Sequence, residues 1–201
     1  MDQLQAAVAV NEMADLICAS MDGVRIHNPT LSDVYAVCLA ISDDFSYAAL
    51  YANTESFLAQ KPTRGRWDVY GWWSEGMDLS VAPLRSHIGR VNDSDSQPEH
   101  DNGPAWLAVL TRAMGVSDAA GAFAFTNSQP YLFCTMTDSA NSDWIEYLTG
   151  RELNDGARFD AIAGEIAEAH RAPAAGPLTA GRSPYRDAFV RVLNELNAGP
   201  W

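Results

Sequence analysis

Lysine is almost absent from this chain: Lys61 stands alone beside twelve arginines, against 26 acidic residues, and the formal net charge is −13. Proteins that hold nucleic acid draw much of their affinity from displacing counterions with a basic face. No basic run exists here, the densest spot being Lys61, Arg64 and Arg66. Binding of DNA, RNA or an anionic membrane surface is therefore not expected. The same charge steers encounters with a basic protein partner, and it also keeps a surface solvated. The preference for arginine, with abundant alanine, reads as the codon usage of a GC-rich bacterial genome.

Cysteine is scarce too. Cys18, Cys38 and Cys134 are odd in number, sit among apolar neighbours and show no C-x-x-C spacing. That pattern argues against a disulfide framework or a zinc site and predicts buried free thiols in a reducing compartment. His27, His87, His100 and His170 never fall at i, i+4 spacing, and H-E-x-x-H does not occur. The glycines form neither G-x-G-x-x-G nor a P-loop, and Ser74 lies in Gly-Trp-Trp-Ser-Glu-Gly, which is not a nucleophile elbow. The segment 93–104 alternates oxygen ligands as a calcium loop would, but Pro98 replaces the turn glycine and Pro104 the bidentate glutamate. A solvated loop is expected there, with no metal and no cofactor anywhere. No apolar run approaches the ~20 residues that cross a bilayer, and Met1-Asp2-Gln3-Leu4 lacks the basic start of a signal peptide. A cytoplasmic protein without a membrane partner is the expectation.

What is present suits a single globular domain over residues 1–201, since hydrophobic residues make up 47% and aromatics 10%. Residues 2–21 predict a helix closed by Asp22-Gly23. The apolar run 34–41 predicts a strand buried on both faces, with Tyr35, Val37, Leu39 and Ile41 on one side and Val34, Ala36, Cys38 and Ala40 on the other. A hairpin leads from it into a second strand over 45–51, then a short helix over 54–60 capped by Asn53 or Thr54. Further strands are expected at 67–73, 121–126 and 131–137, and helices at 104–114, 143–149, 157–170 and 184–197. The last helix has Ser183 as N-cap, Pro184 at its first position and a stripe of Tyr185, Phe189, Val192, Leu193 and Leu196. Residues 172–182 form an Ala/Pro/Gly linker before it. The order lacks regular strand–helix alternation and predicts an α+β fold with a mainly antiparallel sheet of about five strands, a mixed sheet being the alternative.

The densest chemical feature is Trp67, Tyr70, Trp72 and Trp73, bracketed by Asp68, Glu75 and Asp78. On a strand, Tyr70 and Trp72 share a face. Exposed Tyr and Trp are enriched in binding hot spots, so Trp72 and Tyr70 are candidate partner-binding anchors with Glu75 and Asp78 as rim. Aromatic strand residues also fill cores, which is the competing assignment. A hydrolytic triad would have to assemble from dispersed residues, Ser80 and His87 being its candidates.

Residues 47–55 (YAALYANTE) and 69–75 (VYGWWSE), with Cys134-Thr-Met-Thr-Asp138 and Leu153-Asn154, resemble the bacterial family called domain of unknown function 4303. The resemblance covers scattered patches between residues 30 and 155, and the chain departs from it at Gly76-Met77-Asp78, where a second tryptophan is expected. It implies an α+β fold and no particular reaction. Charge, the aromatic–acidic segment and the missing catalytic motifs point to a non-enzymatic protein-binding module, by analogy an immunity or antitoxin-like partner. The alternatives are a small hydrolase or transferase with a dispersed site and an acidic mimic of nucleic acid.

Overall fold

The computed structural model describes residues 2–42, 44–60, 66–67, 69, 72, 78–89, 102–125, 129–137, 142–169 and 184–199. Its elements run α1 (Gln3–His27), β1 (Val34–Ser42), β2 (Ala48–Thr54), α2 (Glu55–Gln60), β3 (Asp78–Leu79), α3 (Ala82–His87), α4 (Gly103–Ala119), β4 (Tyr131–Thr137), α5 (Ser142–Leu153), α6 (Gly156–Ala169) and α7 (Pro184–Ala198). The fold is α+β. Among the described residues the sheet has four strands in the order β3-β2-β1-β4. β1 and β2 form an antiparallel hairpin, β3 extends it antiparallel, and β4 lies parallel to β1. The sheet is therefore mixed. Chain that leaves β2 through α2, α3 and α4 returns β4 to the far side of β1 by a crossover, which a hairpin link would not allow.

β1 sits inside the sheet because both its faces are apolar. Val37, Leu39 and Ile41 join Leu50 of β2 and Leu132 and Met136 of β4 in the larger core, which α1, α4, α5 and α7 cover. Ala36 and Cys38 face a second, smaller core. The expected strict alternation fails at one point. Val34 pairs with Thr54 and Ala36 with Asn53, so Tyr35 is an extra residue in a β-bulge. The bulge puts Val34 in the larger core and turns Tyr35 toward the second, reversing the sides expected for both.

Helix α1 does not stop at Gly23 but runs to His27, closed by Asn28, whose N–H donates to the Val24 carbonyl at 2.9 Å. A tertiary contact outweighs the glycine signal: Arg25 donates to the Gly121 carbonyl at 2.8 Å and to that of Ala122, tying the end of α1 to the end of α4. Residues 121–125 correspondingly form a helix terminus with a single bridge residue at Phe125, where a strand was expected. Gly121, at φ 85°, supplies the left-handed residue, and the Ala122 and Gly121 amides donate back to the Ser117 and Asp118 carbonyls. The second strand starts at Ala48 and not at Phe45. Phe45 occupies the turn at φ 55°, its buried ring 5.7 Å from that of Trp106. The strand expected at 67–73 is not formed by Trp67, Val69 and Trp72, which lie in turn, 3-10 and bend conformations. Trp67, Val69 and Trp72 are buried, and burial is much of what strand propensity measures.

β4 is an edge strand whose outward backbone groups are satisfied by side chains. The Leu132 amide donates to Asn154 Oδ1 at 3.0 Å, and Asn154 Nδ2 donates to the Leu132 carbonyl at 2.7 Å. One turn earlier, Thr149 Oγ1 accepts from the Cys134 amide at 2.9 Å. Close approach of α5 requires Gly150, where an added Cβ would collide with the Tyr131 hydroxyl. The edge is blunted for pairing with another chain. The 172–182 linker, the 93–104 loop and the Ser183 cap lie wholly or largely outside the described residues.

Candidate functional site

The second face of the sheet gathers the polar and aromatic groups that the helices on the other face exclude. Through its bulge Tyr35 comes to lie 5.8 Å from Trp67 and 6.0 Å from Trp72, ring centroid to centroid. Its hydroxyl donates to the Arg66 carbonyl at 2.6 Å and accepts from Asn53 Nδ2 at 2.8 Å. The Arg66 guanidinium stacks 4.4 Å from the Tyr35 centroid and makes a bidentate pair with Glu55 at 2.8 and 2.9 Å. Trp72 Nε1 donates to the same Arg66 carbonyl at 3.0 Å. Glu55 opens α2, where Thr54 Oγ1 accepts from the Phe57 amide at 3.0 Å, as a cap at Thr54 predicts. Asp33, pulled below its usual carboxylate range by the Ser56 hydroxyl, holds the same turn.

Beside this network lies a second group. The Tyr47 hydroxyl donates to Asp78 Oδ1 at 2.9 Å and lies 3.4 Å from the Tyr51 hydroxyl. Tyr47 is 36% exposed, Asp78 is exposed on the short edge strand, and Tyr51 is half-buried. Partial desolvation raises the Tyr47 phenol, and its neighbours Tyr51 and Asp78 add to the effect. This phenol stays neutral at physiological pH and acts as a hydrogen-bonding group.

Of the residues expected to bind a partner, only Asp78 is in place as an exposed acid. Trp72 is corrected: 7% exposed, it packs 5.8 Å from Phe133 and 6.3 Å from Trp67 in the second core. An apolar sheet face left open by the helices draws both indoles inward. Tyr70 and Glu75 lie outside the described residues. Nothing in the sequence marks Tyr47, which falls inside the strand expected at 45–51; the acid that holds it, Asp78, is 31 residues away.

No catalytic set assembles among the described residues. The Ser80 hydroxyl accepts from the Ala82 amide at 3.3 Å within its own turn, and His87 pairs with Glu12 of α1 at 3.2 Å across two helices. Burial pushes Cys134 up to about 12 and Cys38 well above its usual value, leaving thiols and not thiolates. No group of three or more His, Cys, Asp or Glu side chains converges on a metal position among the described residues. No helix among them is long and apolar enough to cross a membrane. Comparison with protein-family models, with curated proteins and with solved structures finds no match.

Desolvation raises the Tyr35 phenol to about 12, against the opposing pull of the Arg66 charge. An unfolded tyrosine ionises near pH ~10. Between those values the unfolded chain has released a proton that the folded one keeps, so stability contributed by Tyr35 is complete below the unfolded value and falls as pH rises toward the folded one. The urea midpoint should drop over this window in the wild type, and the drop should be shallower in Tyr35→Phe. Parallel curves would show that Tyr35 ionises freely.

Proposed function

We propose that this protein is a non-enzymatic binding module that engages a basic protein partner through the Tyr47–Tyr51–Asp78 ridge, an immunity- or antitoxin-like role. The observation that carries the reading is Tyr47 itself, a 36% exposed phenol held by the exposed carboxylate of Asp78 in a chain of net charge −13. An ordered tyrosine offers a large amphipathic contact at little conformational cost, and the carboxylate beside it meets an incoming Arg or Lys. Tyr70 and Glu75 remain candidates for partner binding from the sequence alone. Membership of the domain of unknown function 4303 family, proposed from its motifs, adds no reaction to this reading.

The test is capture from the native host with immobilised wild type, followed by kinetics on the retained protein. Association should slow as salt rises, because the Debye length shrinks to about 8 Å at physiological ionic strength. Tyr47→Ala should chiefly speed dissociation, by about thirtyfold for a central anchor worth about 2 kcal/mol. Asp78→Asn should act mainly on association. A basic partner bound with the same kinetics by wild type, Tyr47→Ala and Asp78→Asn would place the interface elsewhere.

A further inference from the structure

A groove of about 920 Å³ runs between α5 and α7, remote in the sequence from the Tyr47 ridge and opposite to it in charge. Two contacts between the helices flank it. At one, the Trp144 ring of α5 meets Tyr185 and Phe189 of α7 at 5.9 and 5.8 Å. At the other, Asn197 Nδ2 donates to Glu152 Oε1 at 2.6 Å. The contacts make the helices run in the same direction, joined at their beginnings and ends and separated between. Tyr147, Leu148 and Val190 give the groove apolar surface, and Arg151, Arg186 and Arg191 stand around it.

The arginines are the unusual feature. Three of the chain's 13 basic residues line one groove, and among the described residues none of the three makes an ion pair, the pairs being those of Arg25, Arg66 and His87. Asp187 and Glu195 also line it, so the groove carries a local excess of one positive charge, 3 − 2, on a chain of −13. Guanidinium is the group best shaped for two-point recognition of a carboxylate. The side of α7 from Arg186 to Ala198 spans 12 residue steps, or about 18 Å at ~1.5 Å per residue. That length suits about three turns of a docked helix. A small ligand would leave too much of itself in water, since such sites usually bury roughly 70–90% of their occupant.

We infer that this groove docks an acidic amphipathic helix of a partner protein, its apolar side on Tyr147, Leu148 and Val190 and its carboxylates on Arg151, Arg186 and Arg191. A second copy of the chain is disfavoured as occupant by repulsion between two bodies of −13 each. Phosphate-rich nucleic acid is disfavoured by the same charge.

The experiment uses the full chain and a fluorescein-labelled helical peptide of about fourteen residues, with leucines at i, i+3, i+4 and i+7 and glutamates flanking them. Its counterpart carries lysine in place of glutamate. Saturable anisotropy is expected for the glutamate peptide, with affinity weakening as salt rises and by about fivefold or more in Arg151→Gln/Arg191→Gln. Both arginines are exposed, so circular dichroism and melting of the variant should match wild type. Amide resonances shifted by the peptide should cluster on α5 and α7. Absence of saturable binding, equal affinity in the arginine variant, equal binding of the lysine peptide, or shifts confined to another face would each overturn the proposal. Sedimentation showing a wild-type dimer that the arginine variant dissolves would assign the groove to a second copy and overturn it too.

Discussion

Trp72→Ala should destabilise the protein by about 3–5 kcal/mol, the range for removing a buried tryptophan. The indole is 7% exposed, contacts the rings of Tyr35, Trp67 and Phe133, and donates to the Arg66 carbonyl. Truncation opens a void among aromatic side chains that are themselves held by the sheet, so little collapse can refill it. It also deprives the Arg66 carbonyl of a donor, which Tyr35 alone must then satisfy. Trp72→Phe keeps a ring in the site and should cost much less. Urea denaturation with a shared m-value is the measurement, because a change in m would signal an altered denatured state. Tyr47→Ala is the control: a 36% exposed ring should cost far less stability while affecting the proposed partner more. If Trp72→Ala unfolded at the wild-type midpoint, the second core would not be load-carrying and the indole would be free to face a partner.

The contrast between these two aromatic residues shows what the sequence can carry. Trp72 stands in an aromatic run, and local pattern alone gives it two fates, core or anchor. The choice is made by β4 and α6, distant segments that bring Tyr131, Phe133 and Phe159 under the same sheet face. Tyr47 has the reverse history, an unremarkable neighbour of an apolar strand until Asp78 of β3 reaches its hydroxyl. Elements with strong local signals were legible: β1 from its two apolar faces, β4 to the residue, and α7 from Pro184 and its buried stripe. The bulge at Tyr35 was not, since an extra residue is defined only against the partner strand, at Asn53 and Thr54. Nor was the overrun of α1 past Gly23, because the force that continues it is Arg25 docking on carbonyls about 96 residues away.

The parallel placement of β4 lies beyond local pattern for the same reason, and it creates a need that the sequence answers in an unexpected place. Strand order β3-β2-β1-β4 leaves β4 at an edge. Its alternate amides and carbonyls point away from β1, and here they are buried, Leu132 and Cys134 being fully covered. Water cannot reach them, so they require partners from the covering helix. Thr149 inside α5 and Asn154, just past its end where the chain has left the helix, supply these. A threonine in a helix and an asparagine just past its end look like ordinary surface and cap residues in the sequence. Their role is visible only with the strand beside them.

Asn154→Leu should therefore be among the most damaging single changes in the molecule, although it makes a buried site more apolar. Asn154 is 8% exposed; its amide donates to the Leu132 and Gly150 carbonyls at 2.7 and 2.6 Å, and its oxygen accepts from the Leu132 amide at 3.0 Å. Leucine keeps the branched outline, with bulkier methyl groups, and removes all three contacts. Each orphaned buried backbone group costs roughly 1–3 kcal/mol, and the extra apolar burial offsets only part of that. A net loss of about 2–4 kcal/mol is expected from urea midpoints, with the Leu132 amide losing protection in hydrogen exchange before the rest of the sheet. Asn154→Asp separates geometry from charge. An ionised carboxylate would still accept from the Leu132 amide but would set its second oxygen against two carbonyls, favouring the protonated acid in the folded state. The folded variant then holds a proton that the unfolded one releases, so its stability is greatest at low pH and falls as pH rises through the carboxyl's raised folded value. The wild type, with a neutral amide at the position, lacks this trend. An Asn154→Leu protein as stable as wild type, with Leu132 exchange unchanged, would show that β4 finds its edge partners elsewhere.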